Sequence, residues 1–201
     1  MLFRSEIPLP TMKNCAGFID FYKKSFTIPL WSDLIMRVGP KDNPTVYGNF
    51  ADKTSSIEFH SEMQRGTYLP SNEYLHGKIL SPWKIKCKEE IKFLFHSSFY
   101  NMEKPERIIF PPGVVDYKYQ NSTNINLFFK LQEEHQDFFI KNGQPLINIF
   151  PLTEKKIEIK IHMISNKEYD SMNIEYLSHI NNYNESKKNK KKLEKCPFKN
   201  V

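Results

Sequence analysis

Cysteine, arginine, alanine and glycine are all scarce in this chain. The three cysteines, Cys15, Cys87 and Cys196, are odd in number, far apart and without a paired spacing. That excludes a disulfide framework and a zinc knuckle, and leaves reduced thiols as the reading. Alanine occurs only at Ala16 and Ala51, and arginine only at Arg4, Arg37, Arg65 and Arg107, while Lys, Asn and Ile are abundant. This bias follows AT-rich codons and carries no mechanism. Only seven glycines stand against 16 phenylalanines and 10 tyrosines, a balance that favours strands over a helical bundle. No apolar run approaches the roughly 20 residues that span a bilayer. Residues 1–10 hold Arg4, Glu6 and two prolines, which is not the pattern of a signal peptide. The expected location is the cytoplasm.

The 201 residues suffice for one domain with its own core. The net charge of +6 suggests a polyanion partner until it is located. Residues 187–201 carry seven lysines against Glu194 alone, which accounts for the whole excess. The body therefore has no net positive field, and weak polyanion attraction is expected through the tail only.

Apolar spacing gives a short helix over 15–25, with Phe18, Phe21 and Tyr22 on one face. A strand over 26–38 follows, in which Leu34, Met36 and Val38 alternate with Asp33, Ile35 and Arg37. Further strands are expected at 45–50 and 55–60, then a polar loop over 62–80. Trp83, Ile85 and Cys87, turned at Lys88-Glu89-Glu90 onto Ile91, Phe93 and Phe95, read as a hairpin. More strands are expected at 107–110, 125–131, 137–140, 145–150 and 156–164, with Lys141-Asn142-Gly143 as a hairpin turn. Ser165 and Glu168 then form a capping-box pattern ahead of a helix carrying Tyr169, Met172, Tyr176, Leu177, Ile180 and Tyr183. The expected organisation is a single β domain over 1–164, a C-terminal amphipathic helix over 165–185 and a flexible lysine-rich tail over 186–201. Strands at short, regular spacing suggest an all-β, antiparallel sandwich, jelly roll or barrel.

The most specific segment is Pro112-Gly113-Val114-Val115-Asp116-Tyr117-Lys118-Tyr119. An aspartate in a tight turn presents a carboxylate, and a nearby tyrosine offers a flat stacking face. The segment resembles the substrate loop of the trimeric dUTPase family, within the dUTPase/dCTP deaminase superfamily. The resemblance extends over about 83–152 and implies a jelly-roll barrel and a trimer. It places Asp116 where the family's aspartate activates water, and Tyr119 where its tyrosine packs on the sugar. Gly113 falls on the loop glycine, Gly143 on a later glycine turn, and Asn148 where a glutamine contacts phosphate. His96-Ser97-Ser98 occupies the place of the phosphate-binding Arg-Ser-Gly turn, without its arginine. Gln120 and Asn121 replace the arginine and glycine after the tyrosine, and the arginine-bearing, glycine-rich arm is absent. The implied ligand-binding set is Gly113, Asp116, Tyr119, Gly143, Asn148, Ser97 and Ser98. Farther upstream, Lys13-Asn14-Cys15, Phe18-Ile19-Asp20 and the run from Thr27 to Asp33 resemble uncharacterised proteins encoded by tailed phages, which implies a host cytoplasm.

His60 and Glu62 form an H-x-E pair, for which His96 or His162 would be a third metal ligand; a chance match is the better reading, so no metal is expected. Ser97 and Ser98 lack an acid partner and a nucleophile elbow, so no catalytic residue is assigned. Trp31 and Trp83 are expected in the core. The expectation is a homo-oligomeric, non-catalytic viral protein that binds a nucleotide or nucleotide-derived signal, without cofactor unless Mg²⁺ accompanies a triphosphate. The alternatives are a structural or interaction protein of a virion or scaffold, and a divergent nucleotide pyrophosphatase.

Overall fold

A computed structural model describes residues 14–53, 56–60, 69–70, 72–98, 107–177, 187–188 and 191–192. Among them lie 11 strands in three antiparallel sheets, and two helices. The mostly β, antiparallel expectation holds at that level. The described strands do not close into a barrel, because each sheet ends in edge strands.

Helix α1 (Ala16–Lys24) leads into β1 (Phe26–Pro29) and β2 (Leu34–Val38). The single strand expected over 26–38 is thus broken at 30–33. The same break occurs on the opposing chain, between β10 (Gln136–Ile140) and β11 (Pro145–Pro151). β1 pairs with β11 and β2 with β10, so two long antiparallel segments bend together from one sheet into the next. The corner is stitched by Leu30 N–H to Gln144 O (2.8 Å) and Gly143 N–H to Leu30 O (2.7 Å), with Asp33 Oδ1 accepting from Asn142 N–H (2.7 Å). Lys141-Asn142-Gly143 is therefore a turn but not the expected hairpin. It joins strands of different sheets, and Gly143 takes φ +82, where a side chain would be strained.

The first sheet has the order β1-β11-β6-β8, with β6 at Lys92–Ser97 and β8 at Gly113–Asp116. The second is β10-β2-β3, with β3 at Val46–Phe50. The third is β4-β5-β9-β7, comprising Ile57–Phe59, Tyr74–Ile79, Ile125–Lys130 and Ile108–Ile109. Period-2 alternation decides the faces: Leu34, Met36 and Val38 are buried, while Ile35 and Arg37 are exposed. All three sheets send side chains into one core, among them Leu34, Phe138, Phe95, Ile147, Leu127 and Phe129. β11 is buried at four consecutive positions, 146–149. One face meets that core. On the other, Phe21 of α1 stacks on Phe150 with centroids 5.0 Å apart.

Three further expectations are corrected. Residues 74–79, placed in a loop, form β5, paired on both sides. Its polar residues misled because they are satisfied across the sheet: Lys78 pairs with Glu58 (3.0 Å), and His76 stacks on Phe128 (4.5 Å). Residues 83–87 do not form a hairpin with β6. Ile85 N–H and Cys87 N–H bond instead to Asn121 O and Tyr117 O, and β6 is filled on both sides by β11 and β8. Trp83 is accordingly 38% exposed, whereas Trp31 stacks on Phe50 within the core's margin. Finally, 156–164 alternates like a strand but pairs with none of the described strands. Helix α2 (Asn166–Leu177) begins where expected, with Glu168 N–H bonded to Ser165 Oγ (3.2 Å). Glu62, His179, Phe198 and the helix positions Ile180 and Tyr183 lie outside the described residues. Among the described residues, no helix is long and apolar enough to cross a membrane.

Candidate functional site

The end of β8 makes a tight turn whose backbone explains each side chain that follows. Asp116 O accepts from the N–H groups of Tyr119 (3.1 Å) and Gln120 (3.2 Å), and Asp116 Oδ1 accepts from Lys118 N–H (3.1 Å). One carboxylate oxygen thus holds the turn. Tyr117, next in the chain, points into the core against Phe93 (5.3 Å) and Phe95 (6.1 Å). Tyr119 comes out on the same side as the second oxygen of Asp116. Both residues are almost fully buried, at 2% and 1% exposure.

What covers them comes from two distant parts of the chain. Tyr119 Oη donates to Glu90 Oε2 at 2.8 Å. Glu90 Oε1 accepts from Lys187 Nζ at 2.9 Å and from Lys191 Nζ at 3.0 Å. The Lys187 ammonium also sits 4.9 Å from the centre of the Tyr119 ring and 3.8 Å from Asp116 Oδ2. Lys191 and Lys118 each lie 5.7 Å from the same ring. Asp116 Oδ2 is buried without a hydrogen-bond partner among the described residues, and the Lys187 ammonium is its charge partner at ion-pair range. The Glu90 carboxyl is held down from 4.5 to about 2, first by the Lys187 hydrogen bond, then by those of Tyr119 and Lys191.

Two carboxylates and an aromatic face around one ammonium form a cation-binding arrangement. The arrangement supplies acceptors and negative charge where a phosphate would need donors.

The other residues of the implied ligand set are not brought to this point. In register, Asp116 lies opposite Lys92 of β6, whereas Asn148 lies opposite His96, four residues along the same strand. At the usual strand rise that is roughly 13 Å. Asn148 is buried, and its Oδ1 accepts from Thr27 Oγ1 at 2.7 Å. Ser97 ends β6 and Ser98 follows it, buried, with its N–H reaching Leu146 O at 3.5 Å. His96 packs edge-on against Phe21. Gly143 is at the corner between sheets, and Gly113 is exposed on the edge strand β8. Asp116 and Tyr119 therefore share one site; Gly113 begins the same strand; Gly143, Asn148, Ser97 and Ser98 lie elsewhere.

Glu90, Lys187 and Lys191 were missed by sequence reasoning. The one available signal was the four-residue spacing of the two lysines, which puts both ammoniums on one face of a helical turn. The His60 ring lies tilted against His76 with centroids 4.4 Å apart, and no group of three His, Cys, Asp or Glu able to hold a metal occurs among the described residues.

No protein-family model matches the chain, and no curated protein is significantly similar to it.

Proposed function

We propose that this chain is a non-catalytic interaction protein whose Glu90–Asp116–Tyr119 site binds a lysine side chain of a basic segment. The observation that carries the reading is Lys187: its ammonium contacts both carboxylates and the ring at once. The tail thus serves as an internal occupant, and a basic segment of a partner competes with it. Asp116 acts as turn holder and charge, with one oxygen committed to the backbone and the other facing an ammonium. That leaves it poorly placed to activate water, which disfavours the pyrophosphatase reading.

A nucleotide reading has one observation on its side. Lys118, Lys187 and Lys191 set three ammonium groups around a single tyrosine ring, a cluster of donors that suits phosphates. Against it, Tyr119 offers no free stacking face while Lys187 covers it, and Glu90 and Asp116 repel anions. The dUTPase-like barrel, the trimer and the phage setting rest on sequence resemblance alone.

One thermal-shift series separates the readings. The full chain carrying Lys187→Ser and Lys191→Ser is titrated with a Lys-x-x-x-Lys peptide, and separately with nucleoside triphosphates and cyclic dinucleotides. A peptide at 100 times its Kd stabilises the variant by about 2.7 kcal/mol, and adding Glu90→Gln removes the shift. A shift with a nucleotide and none with the peptide overturns the proposal.

A further inference from the structure

Between the end of β11 and the start of α2 the chain runs from Lys156 to Ser165 without turn, bend or helix. Both ends of this stretch are held. At one end Leu152 N–H bonds to Lys92 O (2.9 Å), and Lys155 pairs with Glu89. At the other, Lys84 sits 5.1 Å from the Tyr169 ring, and Asn121 Nδ2 donates to Met172 O (3.2 Å). The middle is not held in this way. Residues 156–164 make no backbone hydrogen bond to any described residue. Ile157 packs against the core, but Ile159, Ile161 and Met163 are 49%, 83% and 96% exposed.

In an extended chain side chains alternate, so Ile157, Ile159, Ile161 and Met163 share one face, and Lys156, Glu158, Lys160 and His162 the other. The Glu158–Lys160 ion pair at 3.5 Å is the contact that residues two apart make in such a chain. A straight, alternating segment whose N–H and C=O groups are unused among the described residues is a strand with no neighbour there.

The charges say which neighbour fits. An antiparallel pairing of two identical copies centred on Ile159 sets Ile157 opposite Ile161, and Glu158 of each copy opposite Lys160 of the other. Both ion pairs form by symmetry and the apolar face is matched, which is the self-complementarity a twofold interface requires. We propose that residues 156–162 pair with the same segment of a second copy, forming a twofold, two-stranded antiparallel interface. Two strands alone are marginal, so the dimer is weak and concentration-dependent. The interface is independent of the lysine site: neither segment contributes to the other.

Sedimentation velocity on the full chain over a concentration series tests this. Glu158 and Lys160 side chains are 77% and 80% exposed, so their reversal leaves the fold intact. Wild type passes from monomer to dimer. Glu158→Lys and Lys160→Glu each weaken the dimer by about tenfold or more, because like charges then face each other twice. Mixing the two single variants restores a dimer, since one variant is basic at both positions and the other acidic at both, so that opposite charges meet at each contact. The Glu158→Lys/Lys160→Glu double variant restores its own dimer. A wild type that stays monomeric, a trimer, or a dimer indifferent to both reversals overturns the proposal.

Discussion

Glu90 holds three partners at once, and its behaviour with pH follows from them. Its carboxyl is favoured in the ionised form by Lys187, Tyr119 and Lys191, which moves it from 4.5 down to about 2. A depressed carboxylate adds to the docked state above its ordinary value and loses that contribution as protons bind. The tail contact should therefore be complete above pH 4.5 and loosen as pH falls from 4.5 toward 2. The ring resonances of Tyr119, followed by NMR, should shift over that window, and Glu90→Gln should remove the shift. Resonances that stay constant would mean that the lysines do not report on Glu90. Tyr117 presents the opposite situation two residues away. Its hydroxyl is buried at 2% exposure with no hydrogen-bond partner among the described residues, and burial pushes its ionisation far up. An unpaired buried hydroxyl costs about 1–3 kcal/mol. Tyr117→Phe keeps the ring between Phe93 and Phe95 and should raise stability by about 1 kcal/mol, seen as a melting temperature higher by about 2–4 °C. A lower melting temperature would show that the hydroxyl does have a partner.

At the scale of elements, alternation read from the sequence was informative where one face meets the core and the other meets water. Leu34, Met36 and Val38 point inward on β2 as their spacing requires, and Ile91, Phe93 and Phe95 do so in and beside β6. The pattern was silent about partners. The 83–87 segment alternates as well as β6 does, yet its backbone runs beside the 117–122 turn, because β8 had taken the edge of β6. It was also silent about bends. Ile28 and Leu34 look like parts of one strand, but the chain crosses between sheets at 30–33 together with 141–144. Histidine and lysine at 76 and 78 hid β5, because a polar outer face with cross-strand partners has the composition of a loop. The segment over 156–164 shows the reverse: strand spacing is present and no described neighbour accepts it.

Across the whole molecule, the described tail lysines divide into two groups with different tasks. Lys187 and Lys191 are turned onto Glu90, whereas Lys188 and Lys192 are exposed. Apart from the tail the chain carries 22 basic and 22 acidic residues, since seven of the 29 basic and one of the 23 acidic residues lie in 187–201. Polyanion binding should then depend on the tail lysines other than Lys187 and Lys191. Changing Lys188, Lys190, Lys192, Lys195 and Lys199 to Gln in the full chain should abolish retention on heparin, with the Tyr119 resonances unmoved. Retention that survives would place a basic patch on the β-sheet body.

Local order suffices for some of this protein. Aromatic-rich composition, period-2 alternation, the capping Ser165 and the location of the charge in the tail are properties of neighbouring residues, so the sequence by itself determines a mostly β, antiparallel chain with a helix beginning at 166. It also singles out Asp116 and Tyr119, because a glycine, two valines, an aspartate and a tyrosine three positions on form a short motif. What that motif faces depends on contacts across the chain. Glu90 and Lys187 are 97 positions apart, and Asn148 and Asp116 lie on strands separated by β6, so only the packed tertiary structure could seat a lysine on Asp116 and Tyr119 and carry Asn148 away. The physical reason is that hydrophobic periodicity fixes which face a residue takes, whereas loop closure and strand order, which leave no local mark, decide what stands opposite it.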